Sequence, residues 1–236
     1  MSDKYEKQVY LAMLAEQCSR YEDMMEFLEE MVKSKSEDLS SDERNLLSIA
    51  YKNTISLDRQ AIRTLLAYES KEAKKAESPY LEYIREYKQK VQKELEDLCN
   101  KICETIDTNL LPKATTDEAK VFYHKMKGDY YRYIAENVDG DTKKKYSDLG
   151  LSAYNAALDV ANSIDYKNPI KLGLALNLSV FYYEVVGDKE QACKLAQETK
   201  EALNGVDEEE DEVKDAMSIV NLLQENLSMW NSEADE

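Results

Sequence analysis

Glycine and proline are scarce in this sequence, and that scarcity limits what the chain can fold into. The 236 residues include 6 glycines and 3 prolines, whereas average usage would supply roughly 28 of the two together. Tight turns depend on these residues, while helix interiors are destabilised by them. A hydrophobic share of 43% is enough to bury a core. The sequence therefore predicts an all-α protein, an antiparallel array of long helices with short connections.

Capping signals divide the chain into about nine helices. Ser40 with Glu43, and Thr115 with Glu118, have the spacing of capping boxes, and Pro79 follows a serine as at a first helical position. Left-handed C-terminal caps are expected at Gly140, Gly187 and Gly205. The predicted helices span residues 3–17, 20–34, 41–69, 79–109, 116–137, 142–163, 169–186, 188–203 and 208–230. We expect one domain over residues 1–231 and a short, acidic, mobile tail at 232–236.

The charge balance and the lack of long apolar runs exclude two classes of partner. With 31 Lys+Arg against 48 Asp+Glu, the formal charge is −17, which disfavours nucleic acid because phosphate backbones are held by clustered cations. No apolar stretch approaches the ~18 residues of a spanning helix, and no signal peptide precedes the first helix. We therefore expect an intracellular protein that does not insert into membranes, located in the cytoplasm, with the nucleus also open.

The sequence also lacks the motifs of metal sites and enzymes. Its four cysteines contain no CxxC pair, and His124 is the sole histidine, so we expect reduced, mostly buried thiols and no zinc. No nucleophile and base stand at a recognisable spacing, and no glycine-rich phosphate loop is present. We expect neither enzymatic activity nor a cofactor.

The third predicted helix carries a stripe of cations. Lys52, Ser56, Arg59 and Arg63 follow a spacing that keeps them within ~20° of one line on the helix. The neighbouring exposed positions lack acids that could pair with these cations, and Asp58 lies on a different face. The stripe is either a solvated helix face or part of an anion site.

The fifth predicted helix repeats this arrangement. Lys125, Asp129 and Arg132 share a face, with Tyr133 beside them. Asp129 can orient the two cations, and the planar guanidinium of Arg132 suits a phosphate better than it suits apolar packing. An intrahelical ladder of ion pairs is the alternative.

The seventh and last predicted helices each combine an apolar stripe with one asparagine. On the seventh these residues are Leu172, Leu176 and Val180, edged by Asn177 and Glu184. On the last they are Ile219, Leu222, Asn226, Met229 and Trp230. One such stripe is typical of a core, in which the asparagine is a satisfied buried amide. Two of them would suit a groove for an extended ligand, with one wall basic and one apolar.

Five segments of the sequence resemble the 14-3-3 family. They are LAEQCSRYEDM at 14–24, RNLLSIAYKN at 44–53, KVFYHKMKGDYYRYIAE at 120–136, NPIKLGLALNLSVFYYE at 168–184 and LLQENLSMW at 222–230. The likeness runs from about residue 4 to residue 231 in order and with nearly constant spacing. It implies nine antiparallel helices in a cup with a concave ligand groove, a dimer, and an adaptor that binds phosphorylated Ser/Thr segments without catalysis.

The resemblance assigns roles to the residues of all four faces. It implies a phosphate pocket of Lys52, Arg59, Arg132 and Tyr133, flanked by Lys125 and Asp129. It implies contacts to the bound peptide's main chain from Asn177 and Asn226, supported by Glu184. The implied apolar wall consists of Leu176, Val180, Ile219, Leu222 and Trp230.

The resemblance also implies a homodimer, or a heterodimer with a paralogue, in which the first two helices pack against the partner's third and fourth. The corresponding apolar positions are Leu14, Cys18, Ala61, Leu65 and Tyr87. The expected ion pairs between protomers join Arg20 to Glu94 and Asp23 to Lys90.

Three residues depart from the family pattern. Asp58 stands where the family commonly has a second arginine, so we expect a weaker positive potential at the pocket. Ile62 replaces the usual tryptophan, and Ser218 replaces an apolar groove residue.

A second interpretation starts from residues 128–195, whose paired helices have a tetratricopeptide character. It predicts a helical scaffold that binds peptide C-termini, although no ~34-residue repeat is sustained over three units.

Overall fold

The computed structural model describes residues 5–75, 77–202 and 214–232, and these ranges are helical and contain no strand. The nine α-helices are α1 (Glu6–Gln17), α2 (Tyr21–Ser34), α3 (Ser41–Ala73), α4 (Leu81–Thr105), α5 (Asp117–Ala135), α6 (Gly140–Ala161), α7 (Pro169–Phe181), α8 (Lys189–Glu201) and α9 (Lys214–Ser232). The prediction of an all-α protein with about nine helices is confirmed. No helix in the described ranges is both long and apolar enough to cross a membrane.

The chain forms two compact units, and each has its own packing. The first contains α1–α4 and comprises the described residues of Met1–Thr115 and Asn137–Gly140. The second contains α5–α9 and comprises those of Thr116–Glu136 and Asp141–Glu236. The prediction of a single domain over residues 1–231 stays a prediction. Of the expected tail, Ser232 ends α9, and residues 233–236 lie outside the described ranges.

Buried carboxylates join α2 to α3 in the first unit. Glu43 completes the predicted capping box, since it accepts the Ser40 backbone N–H at 2.7 Å while its own N–H donates to Ser40 Oγ at 3.2 Å. The same carboxylate accepts Lys35 Nζ at 2.6 Å. Deeper in the unit, Tyr51 donates to Glu29 at 2.5 Å. Each buried acid therefore has the partners that make its burial tolerable.

Several predicted helix starts differ from the observed starts by one to three residues, and the hydrogen bonds explain two of these differences. Thr116, not Thr115, caps α5, because its Oγ accepts the Ala119 N–H at 3.1 Å. The backbone N–H of Thr115 instead donates to Asp38 at 3.1 Å. Pro79 lies in a turn before α4, where the Tyr80 N–H donates to the Ser78 hydroxyl. A distant carboxylate competes with the expected cap at Thr115, and a local turn competes with the expected helix start at Pro79.

The predicted helix ends also need correction. Helix α3 continues to Ala73, and the end of α4 passes into a π-helical turn at Ile106–Leu110, which buries both of its terminal side chains. Gly187 has φ = 78° and ends the helical segment after α7 as predicted, whereas Gly140 has φ = 59° but begins α6. Gly205 and the predicted start of the last helix at 208 lie outside the described ranges.

Candidate functional site

The cation stripe of the first unit lies on α3 as the spacing predicts. Lys52, Ser56 and Arg63 are exposed, and Arg59 is half-buried. The Ser56 hydroxyl donates to the Lys52 carbonyl at 2.6 Å, which keeps this small side chain close to the helix backbone. The stripe therefore presents charge to solvent along more than two helical turns.

Asp58 lies beside this stripe but belongs to a different electrostatic environment. Its side chain is half-buried. Burial raises the pKa of Asp58, and the carboxylates of Glu94 and Glu22 raise it further. The helix face that carries Asp58 is thus acidic, whereas the face that carries Lys52 and Arg59 is basic. Of the other two departures, Ile62 is fully buried in the core and Ser218 is exposed.

In the second unit, a polar cluster is organised around the carboxylate of Asp129. This residue is 8% exposed. Lys125 Nζ donates to Oδ2 at 3.0 Å, and Tyr154 donates to Oδ1 at 2.6 Å. The Asn177 amide nitrogen donates to both oxygens, at 2.8 and 2.9 Å. Three helices, α5, α6 and α7, therefore meet at one side chain.

The environment of Asp129 keeps its carboxylate ionised. Burial alone would raise its pKa, but the charges of Lys125 and Arg132 and the hydrogen bond from Tyr154 hold the pKa below the ordinary value. Burial and the nearby Asp129 charge raise the pKa of Tyr154 well above its ordinary value. The tyrosine is therefore a fixed neutral donor, and the aspartate is a fixed acceptor.

Arg132 is a buried guanidinium that its protein partners do not fully satisfy. Its side chain is 9% exposed, and it pairs with Glu136 at 2.6 Å and approaches Asp129 at 3.9 Å. The guanidinium carbon lies 4.6 Å from the ring centre of Tyr133. Its Nε has no hydrogen-bond partner in the described part of the chain. The neighbouring acids and tyrosines outweigh desolvation and raise its pKa, so the charge is permanent.

Two residues of this cluster, Tyr154 and Gly128, were not picked out from the sequence. A Cβ on Gly128 would lie 2.7 Å from two ring atoms of Tyr154, so only glycine allows this ring to pass so close to α5. The close passage lets the Tyr154 hydroxyl reach Asp129. A glycine in a helix interior destabilises the helix by up to ~1 kcal/mol relative to alanine. A glycine at residue 128, inside a predicted helix, therefore indicated a close contact that a side chain would block.

The apolar residues of α7 and α9 come together in the second unit. Leu176, Val180 and Ile219 are half-buried and pack against a cluster that includes Trp230. The indole of Trp230 is 3% exposed and stacks on Tyr183, with ring centres 4.6 Å apart.

The other predicted groove residues of α7 and α9 differ in exposure. Leu222 is 48% exposed, Asn226 is half-buried, and Glu184 is exposed on a π-helical turn at Tyr182–Val186. The two helices therefore present a surface that is apolar in part and edged by polar groups.

The residues predicted for a dimer contact lie on the surface of the first unit. Leu14, Cys18, Arg20, Tyr87, Lys90 and Glu94 are exposed, and Asp23, Ala61 and Leu65 are half-buried. Within this chain Arg20 pairs with Asp23 at 2.5 Å, and Lys90 pairs with Glu94 at 3.7 Å. The expected pairs of Arg20 with Glu94 and Asp23 with Lys90 concern a second chain and stay predictions.

Comparisons with known proteins agree on one family. The model of the 14-3-3 protein family matches residues 11–231. The chain is 46% identical to a 14-3-3 protein homolog of Trichoderma harzianum, over 98% of this chain and 89% of the relative. It is 44% identical to 14-3-3 protein 2 of Solanum lycopersicum, over 98% of this chain and 92% of the relative. The checkpoint signal transducer rad25 of Schizosaccharomyces pombe is also 44% identical, over 100% of this chain and 88% of the relative.

Proposed function

Because the chain belongs to the 14-3-3 family of adaptors, we propose that it binds phosphoserine and phosphothreonine segments of partner proteins. The family's members are not enzymes, and neither is this chain. In the proposal, Lys52, Arg59, Arg132 and Tyr133 bind the phosphate. The partners are then proteins phosphorylated by Ser/Thr kinases. We propose that this protein binds them in the cytoplasm, and the nucleus is a second location consistent with the proposal.

The observation that carries the proposal is the state of Arg132. A guanidinium this deeply buried ordinarily has all of its donors paired, because an unpaired buried donor costs ~1 to 3 kcal/mol. Here Nε is unpaired among the described residues, although the group lies beside Asp129 and Glu136. The Nε atom itself is closed to solvent, so a ligand would bind the guanidinium at its other nitrogens, and a phosphate has the geometry that a guanidinium binds best.

The charges explain why a phosphate would be selected over a hydroxyl. A phosphorylated side chain brings ~−1.5 to −2 charge and three acceptor oxygens. Each hydrogen bond to a charged group contributes ~1.5 to 3 kcal/mol. Lys52 and Arg59 would add two cations to Arg132; Lys52 is exposed and Arg59 is half-buried, so a ligand would reach Lys52 more readily. The bare hydroxyl offers none of these interactions.

The remaining site residues suit an extended peptide. Asn177 and Asn226 would contact its main chain, with Glu184 in support, and Lys125 and Asp129 would flank the phosphate. Leu176, Val180, Ile219, Leu222 and Trp230 would contact its apolar side chains. The half-buried state of Leu176, Val180 and Ile219 supports their place in this assignment, because such residues can still give up water-exposed area to a ligand, whereas Trp230, at 3% exposed, would act mainly by supporting them.

The proposal is tested with a fluorescein-labelled phosphoserine peptide and its unphosphorylated twin, whose binding is followed by fluorescence anisotropy. We expect the phosphopeptide to bind at least about 100-fold more tightly, which corresponds to ~2.7 kcal/mol. The second phosphate pKa is ~6, so the preference should shrink as the pH falls below that value. Equal affinities for the two peptides would refute the proposal.

We also propose that the chain dimerises, with α1 and α2 packed against α3 and α4 of the partner subunit, through Leu14, Cys18, Ala61, Leu65 and Tyr87. Leu14 and Tyr87 are large apolar side chains that are 43% and 56% exposed. Asp58, Glu22 and Glu94 form an acidic neighbourhood on the same unit. Arg20 of the partner subunit would neutralise Glu94 there, and the partner subunit's Lys90 would pair with Asp23.

Dimers would hold two phosphorylated sites at once and so gain avidity. The partner chain is either a second copy or a paralogue.

Replacing Tyr87 by glutamate should weaken this association. The variant adds a charge to an apolar contact that already lies near acids, so we expect the dimer dissociation constant to rise at least about tenfold. Sedimentation equilibrium over a range of concentrations measures the change. Tyr166→Glu is the control, because it makes the same charge change at an exposed tyrosine of the second unit. A wild-type protein that sediments as a monomer at micromolar concentration would contradict the dimer.

The tetratricopeptide-like scaffold is not favoured. The 14-3-3 family model covers residues 11–231, which includes the whole segment that suggested a repeat.

A further inference from the structure

We propose that Tyr154, a buried tyrosine of α6, is a positioning residue for the ligand site. Through Asp129 it holds the Asn177 amide in one orientation, so that the side-chain oxygen of Asn177 faces the ligand as a hydrogen-bond acceptor. The inference rests on the proposed function, because the ligand is the main chain of the phosphorylated segment. It adds a residue that makes no contact with that ligand.

Asp129 fixes the orientation of the Asn177 amide. Its nitrogen lies 2.8 and 2.9 Å from the two oxygens of Asp129. Rotating the amide by half a turn would place its oxygen against an ionised carboxylate, which accepts hydrogen bonds and donates none. The nitrogen is therefore committed to Asp129, and the oxygen remains for a ligand. A peptide N–H is the donor that an extended main chain supplies.

The position of the Asp129 carboxylate depends in turn on the hydrogen bond from Tyr154. The carboxylate is buried, and burial opposes its charge. The Tyr154 hydroxyl donates to Oδ1 at 2.6 Å, a shorter distance than those from the Asn177 amide (2.8 Å) and from Lys125 Nζ (3.0 Å). Lys125 and Arg132 supply the remaining compensation from α5. Without the hydroxyl, the carboxylate would lose a fixed donor and would be free to move toward the two cations and away from Asn177.

Packing on α5 and α7 holds the Tyr154 ring itself in place. Its side chain is fully buried, and its ring contacts α5 where Gly128 has no side chain. The ring of Phe181 also packs nearby, with the two ring centres 5.3 Å apart. The ring cannot swing, so the hydroxyl has one position. A rigid donor acting on a rigid carboxylate is what an amide of fixed orientation requires.

The first experiment compares Tyr154→Phe with wild type for the phosphoserine peptide and its unphosphorylated twin. The substitution keeps the ring and removes the hydroxyl, so we expect near-native circular dichroism and a fivefold to tenfold loss of phosphopeptide affinity, about one neutral hydrogen bond. Tyr146→Phe is the matched control, since it removes a hydroxyl from a tyrosine of α6 that is 2% exposed. It should bind as wild type does. Unchanged binding by Tyr154→Phe would overturn the inference.

The second experiment asks whether the effect passes through Asn177. In an Asn177→Ala background, Tyr154→Phe should cost less than about twofold in affinity, because there is no amide left to orient. A purely structural role for the tyrosine would give the same fivefold to tenfold loss in both backgrounds. That result would overturn the inference even if Tyr154→Phe weakens binding.

The third experiment needs no variant of Tyr154, and it covers the case in which Tyr154→Phe does not fold. Peptides are made in which one main-chain N–H at or next to the phosphoserine is replaced by an ester oxygen. One replacement should weaken binding to the wild-type protein about fivefold or more, and Asn177→Ala should remove that difference. If no ester is sensitive to Asn177, the amide does not act as an acceptor. If wild type fails to prefer the phosphopeptide at all, the proposed function is what has failed.

Discussion

Replacing Lys52 by glutamate should lower phosphopeptide affinity by at least about 100-fold and leave binding of the unphosphorylated twin little changed. Lys52 is exposed on α3, so its substitution disturbs no core contact. The change removes a charge-assisted hydrogen bond and introduces a repulsion between the new carboxylate and the phosphate. The loss should appear in anisotropy titrations, and it should shrink at high salt because exposed charges are screened.

Lys71→Glu provides the matched control for this variant. It makes the same charge change on the same helix, at an exposed lysine in the last turn of α3. The net charge falls from −17 by two units in both proteins, so a general repulsion of the phosphopeptide would affect them equally. We expect Lys71→Glu to retain phosphopeptide binding within about threefold. Equal losses in the two variants would mean that Lys52 has no specific role.

Gly128→Ala should destabilise the fold by ~2 to 4 kcal/mol. The new methyl group would lie 2.7 to 2.8 Å from three ring atoms of Tyr154, which is fully buried. Overpacking of this kind costs ~1 to 3 kcal/mol, and displacing the ring also breaks the hydrogen bond from its hydroxyl to Asp129. Urea denaturation of the variant and of wild type measures the loss in the free energy of unfolding, and an unchanged m-value shows that only the stability has changed.

Gly173→Ala separates this packing effect from the general behaviour of helix glycines. A Cβ at residue 173 meets only Lys125 Cε, at 3.9 Å, an ordinary contact. Alanine is favoured over glycine in helices by ~0.5 to 1 kcal/mol, so this variant should be as stable as wild type or more stable. If Gly128→Ala behaves in the same way, the close approach of Tyr154 is not what requires glycine at residue 128.

Much of the local structure could be predicted because short-range chemistry decides it. The box formed by Ser40 and Glu43 begins α3 as expected, and Gly187 ends the segment that follows α7. The failures at Thr115 and Pro79 have different causes, one distant in the sequence and one local. Thr115 contacts Asp38, which lies 77 residues earlier, while Pro79 is held in a turn by Ser78. Sequence signals for a cap do not reveal which competing partner will be nearby.

The sequence by itself determined the helical class and the placement of cations and amides on particular helix faces. Helical periodicity is local, so Lys125, Asp129 and Arg132 necessarily share a face of α5. Only the tertiary structure decided what that face would be. It brought the Asn177 amide, 48 residues away, and the Tyr154 hydroxyl, 25 residues away, to the same carboxylate. Those contacts arise from how α6 and α7 pack on α5, and no local rule encodes them. They turn a possible ladder of ion pairs into a polar cluster whose acceptors and donors have fixed directions.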